Sequence, residues 1–325
     1  MKQVLAVIAL VLASCSSSAP PPPPGVGACG RATFILANPA GLLCLDDRAN
    51  VLGRVVELPP TAAPALPSLS FDRKQVLFAL TKGSDPKTGF GTDIYAVNLD
   101  GTDLRAVVAH ESENVFYDTP RYDPTGAFLY FHRNAAIVTN GTYVGNESTI
   151  ERLNVKTGER ARILTDAADP SLSPDGKLLA FVHLTKDGQS ENIWTANVDG
   201  TNAHVLFKDT FFFVQAPRFS PATGDIVFSG AGHTAPKASD RSVPRLPHLA
   251  HLGIPSEIFV VKVDGTGLRS LAQTGDDTFP AWSLDGSRLA FVSTGGFFEM
   301  SMNDFSVKTL ASGQNFFFGD IVWLK

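Results

Sequence analysis

Apolar residues alternate in short runs separated by turn signals, with no sustained helical period. The stretch SLSPDGKLLAFV, Ser171 to Val182, is typical: polar residues around Asp175-Gly176, then a β-forming run. Related phrases begin at Pro67 (PSLSFDRKQVLFAL), Pro120 (PRYDPTGAFLYFH), Pro170, Pro217 (PRFSPATGDIVFS) and Pro280 (PAWSLDGSRLAFV). Their starts are separated by 53, 50, 47 and 63 residues.

A second phrase follows each first one. It begins at Ile94, Ile150, Ile193 and Ile258, with a degenerate copy from Phe298. Each copy reads strand, tight turn, strand, and most turns are Asp-Gly or Thr-Gly, which supply the positive φ of a short hairpin. Each repeat therefore holds four antiparallel strands, and tandem repeats of this length predict propeller blades. The ends supply a further blade. Trp323 in DIVWLK corresponds to Trp282, and Ala32–Leu58 provides three more strands. The expectation is an all-β, six-bladed β-propeller over residues 31–325, its closing blade shared between the termini, which removes open edges.

Composition agrees: 44% hydrophobic, 18% charged, 22 Pro and 28 Gly in 325 residues, with net charge −5. No basic patch suggests nucleic acid. The ends add an address. Lys2 precedes an apolar run from Val4 to Ala13, too short to span a bilayer and suited to a secretory signal. Leu12-Ala13-Ser14-Cys15 resembles the lipobox of bacterial lipoproteins, which implies a signal peptide over 1–14 and lipidation of Cys15. Ser16 after the cysteine implies outer-membrane sorting. Cleavage would leave 26 Lys and Arg against 32 Asp and Glu. Residues 15–30, with five consecutive prolines, form a tether of roughly 3.1 Å per residue. The expected location is the cell envelope, lipid-anchored and facing the periplasm.

The remaining cysteines, Cys29 and Cys44, give two opposed arguments. An even pair in an exported chain favours a disulfide. A hairpin turning near Pro39-Ala40 instead places Cys44 opposite Ile35. Both readings stay open.

The phrases PxxSPDGxxLAF and IWxxNVDGTNxxxL resemble the propeller repeats of TolB, also present in prolyl oligopeptidases. The resemblance covers about residues 31–325 and implies the fold. TolB carries an additional α/β domain and binds the lipoprotein Pal; this chain has a lipobox where that domain would stand, so the resemblance implies a tethered relative with another partner.

Chemistry is sparse. No G-x-S-x-G elbow is present; FSGAGH, Phe228 to His233, lacks the spacing. Asp118, Asp169, Asp276, Asp277 and Asp320 lie near strand ends, where they can gather around calcium or cap turns and pair with arginines. His248-x-x-His251, with His233 in the same insertion, has zinc spacing only if helical. His132 and His183 end β runs and read as structural. Arg121 and Arg218 share one position in two inner strands, so they are channel cations that hold either an anion or a neighbouring Asp. Asn140 and Asn146 match the N-glycosylation pattern, which a bacterial lipobox makes incidental. No cofactor and no metal site is expected, and the chain reads as a monomer.

Strand alternation sorts the loops. Connections between the second and third strands, and those between blades, share one face; the tight Asp-Gly turns share the other. The long insertions Thr81–Thr92, Arg133–Thr149 and Ser229–Ser256 all fall on the first face. So do NVFYD, TFFFVQ and NFFFGD, in which some of the adjacent phenylalanines must be core. The candidate binding residues are Tyr117, Asp118, Phe213, Gln215, Asp277, Phe318 and Asp320, with Tyr117 as the anchor. The expected role is a non-enzymatic binding or scaffold module for an envelope protein or peptide. The alternative is a propeller enzyme of lactonase or sugar-dehydrogenase type, with a metal or quinone in the channel.

Overall fold

The computed structural model describes residues 28–39, 41–186, 188–209, 211–233, 256–275, 278–293, 295–312 and 319–325. Residues 1–27, which hold the expected signal peptide and most of the expected tether (15–30), Cys15 included, lie outside them. Four four-stranded antiparallel sheets and one eight-stranded sheet surround a common axis.

The closing sheet joins β1 (Phe34–Asn38), β2 (Gly41–Leu45) and β3 (Val51–Arg54) to β24 (Ile321–Trp323), in the order β24-β1-β2-β3. Phe34 pairs with Trp323 and Leu36 with Ile321. The Phe34 ring lies 4.9 Å from both Trp323 and Phe297 of the adjoining sheet, so closure is made by side-chain packing as well as by the ladder.

Next come β4 (Ala63–Leu69), β5 (Gln75–Thr81), β6 (Gly91–Asn98) and β7 (Arg105–Val108). They are followed by β8 (Val115–Tyr122), β9 (Phe128–Thr139), β10 (Thr142–Asn154) and β11 (Arg160–Thr165). Here the expected count fails: instead of six separate blades there are four discrete ones, and these eight strands form one continuous sheet. The reason is local. Gly91 and Thr92 of β6 pair in parallel with Val115 and Phe116 of β8. Only glycine permits this approach, because a Cβ at position 91 would stand 2.4 Å from the Val115 carbonyl oxygen.

The remaining discrete sheets run in chain order. One is β12 (Ala167–Leu172), β13 (Leu178–Leu184), β14 (Ser190–Asn197) and β15 (His204–Val205). Another is β16 (Phe213–Phe219), β17 (Ile226–Ala231), β18 (Ser256–Val261) and β19 (Arg269–Gln273). The last is β20 (Ala281–Trp282), β21 (Arg288–Ser293), β22 (Gly296–Ser301) and β23 (Val307–Ser312).

The repeated phrases have direct structural causes. In the first turn, Ser173 Oγ accepts from Leu178 N at 2.9 Å and donates to Asp175 Oδ1 at 2.6 Å; Ser70 and Ser283 do the same for Gln75 and Arg288. In the second, Asp100, Asp199 and Asp264 each accept from the N–H and hydroxyl of the threonine two residues on. The expected loop Arg133–Thr149 is instead a continuation of β9 and β10, paired out to Thr139 and Thr142. The turn is Asn140-Gly141, both at positive φ, 51° and 77°.

Cys29 and Cys44 form a disulfide with Cα atoms 5.4 Å apart. Cys44 does pair with Ile35, as the hairpin register requires. The register does not exclude the bond because Cys29 is not on β1. It lies in a 3-10 turn, Ala28–Arg31, that folds back over β2 and β3.

Candidate functional site

The inner strands share a distortion that builds the axis. Leu66, Thr119, Asp169 and Ala216 adopt left-handed φ of 46–53°, and each precedes the proline that opens a repeat. The ladder registers of β4, β8, β12 and β16 shift at these points. Each is a β-bulge, and a bulge re-aims its side chains. The residue after the proline faces the axis: Ser68, Arg121, Ser171 and Arg218. Aligned on Trp282 and Trp323, Asp320 takes the place that Asp169 holds in β12.

These positions assemble a line of alternating charge. Arg121 donates to Asp320 Oδ2 at 2.5 Å. Arg218 donates to Asp320 Oδ1 at 2.6 Å and to Asp169 Oδ1 at 2.8 Å. Asp169 Oδ2 also accepts from Ala216 N at 2.8 Å. Arg121 and Arg218 further donate to the carbonyls of Pro120 and Pro217. The two expected channel cations therefore hold internal carboxylates, because the bulges bring Asp169 and Asp320 within reach of them. Burial opposes ionisation of Asp320, yet the charges of Arg121 and Arg218 hold its carboxyl below the ordinary range. For Asp169 burial wins and its carboxyl is raised, with Arg218 only partly offsetting it. Arg218 is itself raised: burial is outweighed by the two carboxylates.

Beyond Asp169 lies His132, 7% exposed, whose Nδ1 is 3.0 Å from Asp118 Oδ1. Burial lowers its imidazole, but the charges of Asp118 and Asp169 prevail and raise it. Its Nε2 has no hydrogen-bond partner among the described residues.

The other sequence candidates separate. Tyr117 is fully buried and cannot be a surface anchor. Its hydroxyl donates to Glu111 and accepts from Arg160 Nη2 at 2.6 Å; its ring meets Phe131 edge-on at 5.4 Å. Burial, then the bond to Glu111, pushes its phenol up to about 12. It points inward because β8 alternates and Val115 and Tyr117 share the core side. Asp320, 4% exposed, belongs to the axial line and not to a surface. Asp118 is half-buried against His132. Phe213 and Gln215 are half-buried on β16, and Gln215 Nε2 donates to the Thr278 carbonyl at 3.2 Å. Asp277, Phe318, Asp276, His248 and His251 lie outside the described residues. His233 stacks on Phe211 at 4.7 Å and pairs with Asp209 at 3.3 Å; His183 stacks on Trp194 at 4.3 Å. Among the described residues, no three His, Cys, Asp or Glu side chains converge on a metal-sized site.

Sequence reasoning missed the apolar residues that are exposed. Ile137, Val138, Tyr143 and Val144, 44–60% exposed, occupy the projecting end of the β9–β10 hairpin. Phe90 (41%) and Phe212 (62%) share its face. The signal was present: Asn140-Gly141 between alternating apolar residues marks a hairpin, whereas the same asparagine read as a glycosylation match hides it.

The protein is thus an all-β propeller with paired charges on its axis and an apolar hairpin end on its insertion face. No protein-family model matches the chain, and no curated protein matches it in sequence. Among solved structures, TolB from Acinetobacter baumannii is similar, with a TM-score of 0.64 and 17% identity over 92% of this chain and 67% of that one. A chain of a nidogen/laminin complex gives 0.59 and 12%, over 89% and 97%. A protein of Agrobacterium tumefaciens assigned as TolB gives 0.53 and 18%, over 86% and 87%. At these identities the likeness shows the fold, a TolB-like β-propeller.

Proposed function

We propose that this propeller is a lipid-anchored, periplasm-facing envelope protein that binds a protein partner through its insertion face. The observation that carries the reading is the apolar end of the β9–β10 hairpin. Four large apolar side chains are exposed on this one projection, with Val138 paired to Tyr143, and exposed apolar surface of this kind is typical of interfaces. Phe90 and Phe212 are exposed on the same side, since connections between second and third strands and connections between blades emerge together. The same fold serves in a nidogen/laminin complex, which is consistent with partner binding. The address rests on the lipobox and tether.

The test separates the two claims. Cys15→Ala releases the protein from membranes and abolishes fatty-acid labelling; an unlabelled, soluble wild type overturns the anchor. Tyr143→Ser with Val144→Ser abolishes capture of the partner cross-linked in envelope extracts and leaves thermal stability unchanged. Asp199→Asn and Asp264→Asn, in turns on the opposite face, do not affect capture. Equal loss from both sets overturns the face.

A further inference from the structure

The opposite face, short and regular in sequence, holds a cavity of about 480 Å³ on the axis, a size in the range of small-ligand sites. The repeat builds its mouth. In each first turn, the residue after the Ser or Asp cap stands at the rim: Phe71, Pro124, Pro174, Pro221 and Leu284. These five equivalent positions form an apolar collar. Below them Tyr122 and Trp282, both half-buried, supply flat walls. Phe71 is 52% exposed and meets Tyr122 edge-on at 5.9 Å.

The floor is the axial charge line, and its direction matters. In order, it runs Arg121, Asp320, Arg218, Asp169. Arg121 has one carboxylate, which it shares with Arg218; Asp169 ends the line away from the cavity and does not line it. The other three members, Arg121, Asp320 and Arg218, all line the cavity, and 13% of the Arg121 side chain is exposed. Ser68 Oγ and Trp323 Nε1, of two further buried lining residues, have no hydrogen-bond partner among the described residues. With Arg73 and Asp123 also in the lining, three guanidiniums stand against two carboxylates, so the cavity is apolar at its mouth and net cationic in its charged lining.

We propose that this cavity binds a small apolar carboxylate, head first: the carboxylate against Arg121, the hydrophobic body between Tyr122 and Trp282 under the collar. An arginine fork suits a carboxylate, and the apolar body is what the collar removes from water. The site is independent of the insertion face and of any protein partner.

Calorimetry on the detergent-solubilised full-length protein, with indole-3-acetate and its neutral amide indole-3-acetamide as probes, tests this. Indole-3-acetate binds saturably and about tenfold more tightly than the amide, the discrimination expected of one charge-assisted contact. Arg121→Met removes that difference while the amide binds as before. Phe71→Ser, an exposed rim substitution that leaves the axial ion pairs in place, weakens both probes several-fold, roughly the loss of one aromatic contact. No saturable binding by indole-3-acetate, equal affinity for the amide, or an unchanged affinity in Phe71→Ser overturns the proposal.

Discussion

Arg218 and Asp320 stand 102 positions apart in sequence and meet on the axis, Nη2 to Oδ1 at 2.6 Å, with Nε of the same arginine 3.0 Å from that oxygen. The pair ties β16 to the segment that leads into β24. Arg218→Met leaves Asp169 without its guanidinium and Asp320 with Arg121 alone. Breaking a buried pair from one side costs about 3–5 kcal/mol. Urea unfolding measures it, and a loss below about 1 kcal/mol, the worth of a surface pair, would show that the line is not a structural bolt.

His132 gives a pH dependence of defined sign. Its folded-state pKa is raised above 6.5, so its contribution is complete below about pH 6.5 and is lost as pH rises through the folded value. The stability difference between wild type and His132→Asn therefore shrinks as pH increases above 6.5. Unfolding free energies at a series of pH values check this. A constant or widening difference contradicts it.

The disulfide links residues 15 apart in sequence, and closing a loop of that size stabilises by about 3 kcal/mol in the chain-entropy account. The double variant Cys29→Ser, Cys44→Ser lowers stability by about that amount without changing the circular dichroism spectrum. Thiol titration of the unfolded, unreduced wild type finds neither cysteine free.

Trp323 is 3% exposed against Phe34 and beneath Arg288, whose guanidinium lies 4.9 Å from its ring. Trp323→Ala costs about 3–5 kcal/mol, the range for truncating a buried large side chain. Differential scanning calorimetry reads it. A stability loss within error would mean that β24 is not an integral strand of the closing sheet.

The architecture was legible because its signals are local and repeated. Ser173-x-Asp175-Gly176 and Asp199-Gly200-Thr201 fix two turn types by hydrogen bonds within a few residues, and Trp323 echoes Trp282. The sheet count was not, since fusion at Gly91 and Val115 depends on a single close backbone approach. The site was legible by residue type more than by role. Arg121 and Arg218 were found by shared position, and pairing with Asp was one of two readings. Tyr117 failed as an anchor because a one-residue alternation decides whether a ring faces solvent or core, and the run around it is apolar on both parities. The left-handed residues before Pro120, Pro170 and Pro217 carry no common sequence sign, as threonine, aspartate and alanine fill the same place. Without those bulges, neither the axial line nor the cavity below it could be placed.

The closing sheet also has a consequence in time. Phe34 pairs with Trp323, so β1 has no neighbour on that side until Ile321–Trp323 has been synthesised and delivered. All the intervening sheets can form from near-neighbour contacts, whereas this last ladder joins segments from opposite ends of the domain, the kind of contact that forms slowly. Until that segment arrives the ring is an open arc with an unsatisfied strand edge, and its completion is a late event that reports on the arrival of the whole domain.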